Sequence, residues 1–223
     1  PLRGMISPGS FIPLFEKNGL IHILDRFVWN ETCEMLKSRI EAGKHVVPVS
    51  INVSRVEFYN PELADEIKEI VDSHDLPTDL IKIEITETAY ADNPAQVQQA
   101  VKRLHDYGFL VLMDDFGSGY SILNTIVDIP VDVIKIDRGF ITSCLESDRG
   151  IYFLKHLIDM IRNLGYQIIC EGVETDQQIE ILKQIGCDEI QGYWYSKPLK
   201  EEDYDKVVFC GNIKQFINII RGG

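Results

Sequence analysis

Two adjacent aspartates, Asp114 and Asp115, close the apolar run FLVLMDD and are followed, after Phe116, by the turn Gly117-Ser118-Gly119. Successive strand residues face opposite ways, so a pair of acids at a strand exit needs a reason. Two carboxylates about 4 Å apart repel by roughly 4 kcal/mol at an effective dielectric near 20. Protonation or a bound cation removes that cost. The turn is expected to release the chain from strict alternation, so that both aspartates reach metal ions. Similar polar residues end the neighbouring apolar runs: Asn52, Glu84 and Glu87, Lys135 and Asp137, Glu171 and Glu174, and Gln191. Oxygen donors without histidine suit Mg²⁺ or Mn²⁺ better than zinc or copper.

The elements that must position these residues alternate. Strands are expected at 46–53, 80–86, 109–115, 131–137, 166–171 and 189–194. Helices are expected at 10–17, 20–42, 61–74, 93–107, 121–127, 148–164 and 175–185, with more helix after Lys200. Asn93-Pro94 opens one helix, Gly108 and Gly165 close two, and Thr175-Asp176 reads as a cap. GFITSC reads as a loop after a strand. Phe11, Phe15, Phe27 and Trp29 fall on helical spacing and are expected in the core. Strict strand–helix alternation implies a parallel sheet covered by helices. No glycine-rich phosphate loop follows the first strand, which argues against an open nucleotide-binding sheet. The expected fold is therefore α/β, a (β/α)8 TIM-type barrel lacking one or two opening strands, in a single domain over 1–223. The polar residues sit at C-terminal strand ends, where such barrels keep their chemistry.

Each residue alone has an ordinary reading. Asp115 or Glu174 could cap a helix, Lys135 could be an interior ion-pair partner, and Asn52 or Gln191 could satisfy local backbone groups. Together they would require the same coincidence at six successive strands.

Composition narrows the classes. The 223 residues are 45% hydrophobic, enough for one well-buried core. A net charge of −13 argues against binding DNA or RNA polymers but allows a small anionic ligand where cations reverse the local sign. Five scattered cysteines, none spaced Cys-x-x-Cys, argue against a disulfide framework and fit a reducing, cytoplasmic setting. No apolar run approaches the length of a membrane span. The histidines fall on helices or loops, and no G-x-S-x-G elbow is present, which leaves a catalytic triad without a seat. Cys170 reads as a small buried residue, while Tyr193 and Trp194 could stack on a base or sugar.

In order along the chain, SPGSFIPLFEKNGLI, VSINVS, IEITET, DDFGSGYS, VIKIDRGF, CEGVET and GCDEIQGYWYSKPL resemble the conserved blocks of the EAL family, bacterial phosphodiesterases of cyclic di-GMP. The resemblance covers nearly the whole chain. It implies a modified (β/α)8 barrel with one early antiparallel strand. It places Asn52, Glu84, Asp114 and Asp115 at metal-site positions and expects two ions. Lys135 and Glu171 match the pair that holds and activates the attacking water. Glu174 and Gln191 match further active-site positions, Asp137 lies on the substrate side or in support, and Glu87 and the DFGSGYS turn brace the site toward a homodimer interface. The implied reaction is in-line hydrolysis of cyclic di-GMP to linear pGpG, within a parent protein carrying other signalling domains.

Two departures stand out. Cys170 occupies a position where the family usually has alanine. The Glu-Ala-Leu triplet that names the family would precede PLRGMISPG and is not in this sequence, so this piece is expected to turn over little by itself. The competing expectation is a non-hydrolytic cyclic di-GMP receptor. An enolase-like metalloenzyme is set aside because no lysine pair suits proton abstraction.

Overall fold

The computed structural model describes residues 6–119, 126–201 and 203–205. Six strands form one sheet in the order β1-β2-β3-β4-β5-β6, so neighbours in sequence are neighbours in space. The chain divides into two compact units, Pro1–Met113 with Asp128–Val131, and Asp114–Val127 with Asp132–Gly223.

In the first unit, α1 (Pro8–Asn18) and α2 (Ile21–Glu41) precede β1 (Val49–Asn52). α2 buries Ile21, Trp29, Cys33 and Leu36, the spacing of one helical face. Phe27 does not join them: it is 59% exposed, because it lies on the opposite face of the same helix from Trp29. Trp29 is anchored by its indole N–H, which donates to the Asn52 carbonyl at 2.9 Å. β1 runs parallel to β2 (Ile81–Thr86), with Ile51 opposite Ile83 and Asn52 opposite Glu84. Ile81, Ile83 and Ile85 are completely buried. Between the strands, a short 3-10 turn (Arg55–Tyr59) leads to α3 (Leu63–Ser73), whose Leu63, Ala64, Ile67 and Val71 form its buried stripe. Truncating Ile67 to alanine there is expected to cost about 2–5 kcal/mol. α4 (Glu87–Asp92) follows β2 directly, and α5 (Pro94–Asp106) packs Val97, Val101 and Leu104 inward. The single helix expected at 93–107 is thus preceded by a separate turn of helix, split from it by Pro94.

In the second unit, every residue of β4 (Val133–Ile136) is buried, as expected of a strand covered on both faces. It runs parallel to β5 (Gln167–Cys170), with Lys135 opposite Ile169 and Ile136 opposite Cys170. α6 (Arg138–Leu145) occupies the GFITSC segment that reads as a loop. The reason is Asp137, whose Oδ1 accepts from the N–H groups of Gly139 and Phe140 at 2.8 and 3.1 Å and so caps a helix the residue types alone do not announce. α7 (Asp148–Asn163) buries Leu154, Leu157, Ile158 and Ile161. α8 (Asp176–Gln184) opens with a full capping box between Thr175 and Gln178. β6 is only Glu189–Ile190, shorter than the expected 189–194. It stops because Gly192 passes against Val173; a Cβ there would lie 2.1 Å from the Val173 carbonyl oxygen.

β3 (Leu110–Phe116) contributes Leu110–Met113 to the first unit and Asp114–Phe116 to the second. Of the helix expected at 121–127, residues 121–125 lie outside the described residues, while Ile126 and Val127 form a turn. Most of the segment after Lys200 also lies outside them. No helix among the described residues is long and apolar enough to cross a membrane.

Candidate active site

Lys135 is the centre of the best-defined polar cluster. Its strand is otherwise apolar, and its side chain is only 5% exposed. Nζ lies 2.9 Å from Asp114 Oδ1 and 2.8 Å from Glu171 Oε1. Burying a lone ammonium would be prohibitive, and two carboxylates at hydrogen-bonding distance make the burial possible. Glu171 is held from behind as well. Its N–H donates to the Ile136 carbonyl at 3.0 Å, while Gln191 N–H donates to the Cys170 carbonyl at 2.9 Å. The Cys170–Glu171 peptide is therefore clamped between the ends of β4 and β6.

The aspartate pair has a sharper solution than the glycine turn. Asp115 itself adopts a left-handed backbone, φ 57°, within a strand. Aspartate tolerates that region better than most residues, and strained backbone of this kind concentrates at functional sites. The break in alternation leaves Asp114 half-buried and Asp115 exposed, with Phe116 returning to the core. Asp114 Oδ1 also accepts from the Asp115 N–H at 3.0 Å. The turn beyond is set by packing: Gly117 has φ 101°, and a Cβ there would sit 2.9 Å from the Phe140 ring.

Around Glu171, Gly172 leads to Glu174, whose Oε1 lies 2.9 Å from Arg138 Nη1. Sequence reasoning did not single out Arg138; the signal available was its place directly after Asp137 in VIKIDRGF. Gln191 lines a cleft of about 460 Å³ with Ile169, Tyr193, Tyr195, Ser196 and Lys197. Burial raises the Tyr195 hydroxyl above its ordinary pKa. Asp137 has a capping duty, as described above.

In the first unit, Asn52 and Glu84 are direct neighbours across β1 and β2, and the Glu84 carbonyl accepts from Val53 N–H at 2.9 Å. Glu84 is 8% exposed and Glu87 6%. Glu87 begins α4, where the helix dipole favours a negative charge. Among the described residues, no group of three or more histidine, cysteine, aspartate or glutamate side chains converges to hold an ion. The donor types in each unit still suit a hard divalent cation: Asn52 and Glu84 in the first, and Asp114 and Asp115 in the second, offer carbonyl or carboxylate oxygens, the preference of Mg²⁺ and Mn²⁺.

These features identify a class, an α/β protein of the TIM-barrel type with acids and a buried lysine at strand ends. The model of the EAL domain family matches residues 1–198, and the chain belongs to that family. A solved structure described as the PaMucR phosphodiesterase in complex with c-di-GMP superposes with a TM-score of 0.82 at 31% identity, covering 92% of this chain and 83% of that one. Cyclic di-GMP phosphodiesterase NbdA of Pseudomonas aeruginosa is 34% identical over 89% of this chain and 25% of its own length. Oxygen sensor protein DosP of Escherichia coli is 33% identical over 91% of this chain and 25% of its own. The chain thus spans about a quarter of these curated relatives.

Proposed function

We propose that this chain is the catalytic domain of a phosphodiesterase that hydrolyses cyclic di-GMP to linear pGpG. The observation that carries the reading is Lys135 pinned between Asp114 and Glu171 at a strand end. The names of NbdA and of the PaMucR complex support the substrate class.

Glu171 is the general base in this reading. One Oε lies 2.8 Å from Lys135 Nζ, which fixes the direction of the carboxylate, so that it can take a proton from a water placed at the scissile phosphate. Lys135 also orients Asp114, sharing one cation between the base and a metal-ligating acid. Asn52 and Glu84 in the first unit, and Asp114 and Asp115 in the second, would supply the oxygen donors for Mg²⁺ or Mn²⁺, two ions being expected. When bound, such ions neutralise charge on the phosphate and on the attacking and leaving oxygens. Gln191, with the aromatic-lined cleft beside it, offers a hydrogen-bonding edge and flat faces suited to a guanine. Arg138 pairs with Glu174 at the same strand ends and adds positive charge for a substrate anion in an otherwise acidic chain. Glu87 and Asp137 support the backbone that carries the donors. A homodimer, further signalling domains in the parent protein and a cytoplasmic location complete the proposal.

The test is turnover by the full-length protein with cyclic di-GMP and Mn²⁺ or Mg²⁺, read as pGpG. Glu171→Gln is expected to lower the rate by about 10²–10⁴-fold while leaving substrate binding within a few-fold. Tight binding without turnover in the unaltered, metal-loaded protein would replace the hydrolase with a receptor.

A further inference from the structure

Directly behind Glu171 lie two sulfurs with no part in the chemistry above. Cys170 Sγ and Cys187 Sγ are 2.8 Å apart, joined by a thiol hydrogen bond. A disulfide bond is about 2.05 Å long, so closure requires an approach of only about 0.8 Å. The two residues come from different elements, Cys170 from the end of β5 and Cys187 from the turn into β6. Each backbone is firmly held. Cys170 is completely buried and its carbonyl accepts from Gln191 N–H. Cys187 N–H donates to the Leu182 carbonyl at 3.0 Å, just beyond the left-handed turn at Gly186. The pair depends on the departure noted in the sequence: the alanine usual at position 170 has no sulfur to offer.

We propose that Cys170 and Cys187 form a reversible redox latch, closed to a disulfide by a peroxide and opened by cellular thiols. Cys187 is the attacking sulfur, since it keeps 6% of its surface exposed while Cys170 keeps none. The hydrogen bond from Cys187 and then burial hold the Cys170 thiol well above its ordinary pKa, which suits it to the second, resolving role. In the first step Cys187 sulfur bonds to one peroxide oxygen, the O–O bond breaks, and water leaves, giving a sulfenic acid. In the second, Cys170 sulfur displaces that oxygen as water and the S–S bond forms. Two thiols and one hydrogen peroxide become one disulfide and two waters. In a reducing compartment the pair rests open, and transient sensing disulfides are the kind such compartments hold.

The consequence follows from position. Closure draws the end of β5 toward the turn before β6, and the peptide it moves is the one that orients Glu171. Oxidation is therefore expected to lower turnover. That effect alone rests on the phosphodiesterase reading; the disulfide does not.

The full-length protein, reduced and then exposed to hydrogen peroxide, is alkylated under denaturing conditions, digested with trypsin and analysed by mass spectrometry. The expected product is peptide 163–183 linked to peptide 184–200, lost on treatment with dithiothreitol. Turnover is expected to fall at least about threefold with oxidation and to return on reduction, whereas Cys170→Ala keeps its turnover in peroxide. Recovery of both cysteines as alkylated thiols, or of Cys187 as a sulfinic acid beside alkylated Cys170, overturns the latch. A linked peptide with unchanged turnover in an active enzyme overturns its regulatory role. A protein inactive in both states refutes the phosphodiesterase reading instead, and the peptide measurement still decides the latch.

Discussion

Two carboxylates in this protein, Glu171 and Glu57, meet their cations in opposite ways. Glu171, with its side chain 17% exposed, approaches a lysine that is itself buried, so the cation is held away from water while the acid keeps an open edge. Glu57, on the turn after β1, is completely buried, yet its partners reach in from the surface. His22 Nδ1 lies 2.6 Å from its Oε1 with the imidazole 43% exposed, and Arg26 stands 3.9 Å away, 36% exposed. The first arrangement fixes the carboxylate proposed as the general base and ties it through Lys135 to Asp114. The second neutralises a buried charge with side chains that remain wet and replaceable. Burial of the cation, rather than burial of the acid, separates the cluster proposed for chemistry from the one around Glu57.

Substitutions can break that contrast. The largest effect is expected from Lys135→Met, which leaves Asp114 and Glu171 facing each other without a cation; turnover should drop by about 10²-fold or more. Glu57→Ala is expected to cost about 2–3 kcal/mol in denaturant unfolding through a lost hydrogen bond and a small cavity, with turnover per folded molecule unchanged. Loss of turnover in the folded Glu57 variant would show that the two clusters do not differ in kind. His22→Ala should cost about 1 kcal/mol, because water can replace an exposed imidazole.

The smallest effect belongs to Asp25, whose carboxylate accepts from Ser54 N–H at 3.1 Å beside the Glu57 cluster. Burial, with a smaller contribution from the Glu57 charge, raises its pKa above 3.8, against the opposing Ser54 hydrogen bonds and His22. A raised carboxyl binds its proton more tightly in the folded state, so it costs stability above its folded pKa. That cost disappears as pH falls through the folded value toward the unfolded one. Asp25→Asn is therefore expected to stay within about 1 kcal/mol of the parent at neutral pH. Any advantage of the variant should shrink on acidification, and a gap that widens at low pH would reverse the assignment.

The site was more legible than the core devices around it. Polar residues at strand ends stand out against isoleucine and valine because a strand has period two, and that marked Lys135, Glu84 and Asp114. Glu57 gave no such signal, since a 3-10 turn has no long periodicity to violate. The helix at Arg138–Leu145 was hidden for a related reason: its stability begins with one cap, Asp137, not with an apolar stripe. Phe27 shows the reverse error, an aromatic on helical spacing that faces outward.

By itself, the sequence determined the alternation of strand and helix, the polar character of the strand ends at which the chemistry is proposed, and the oxygen-rich side chains found there. These are local properties, written in side-chain period and type. Tertiary structure alone decided that Asp115 turns left-handed, that Lys135 joins Asp114 to Glu171, and that two cysteines seventeen residues apart meet at 2.8 Å. Those outcomes depend on how separate strands and turns pack, and contacts between distant residues leave no periodic trace in a chain.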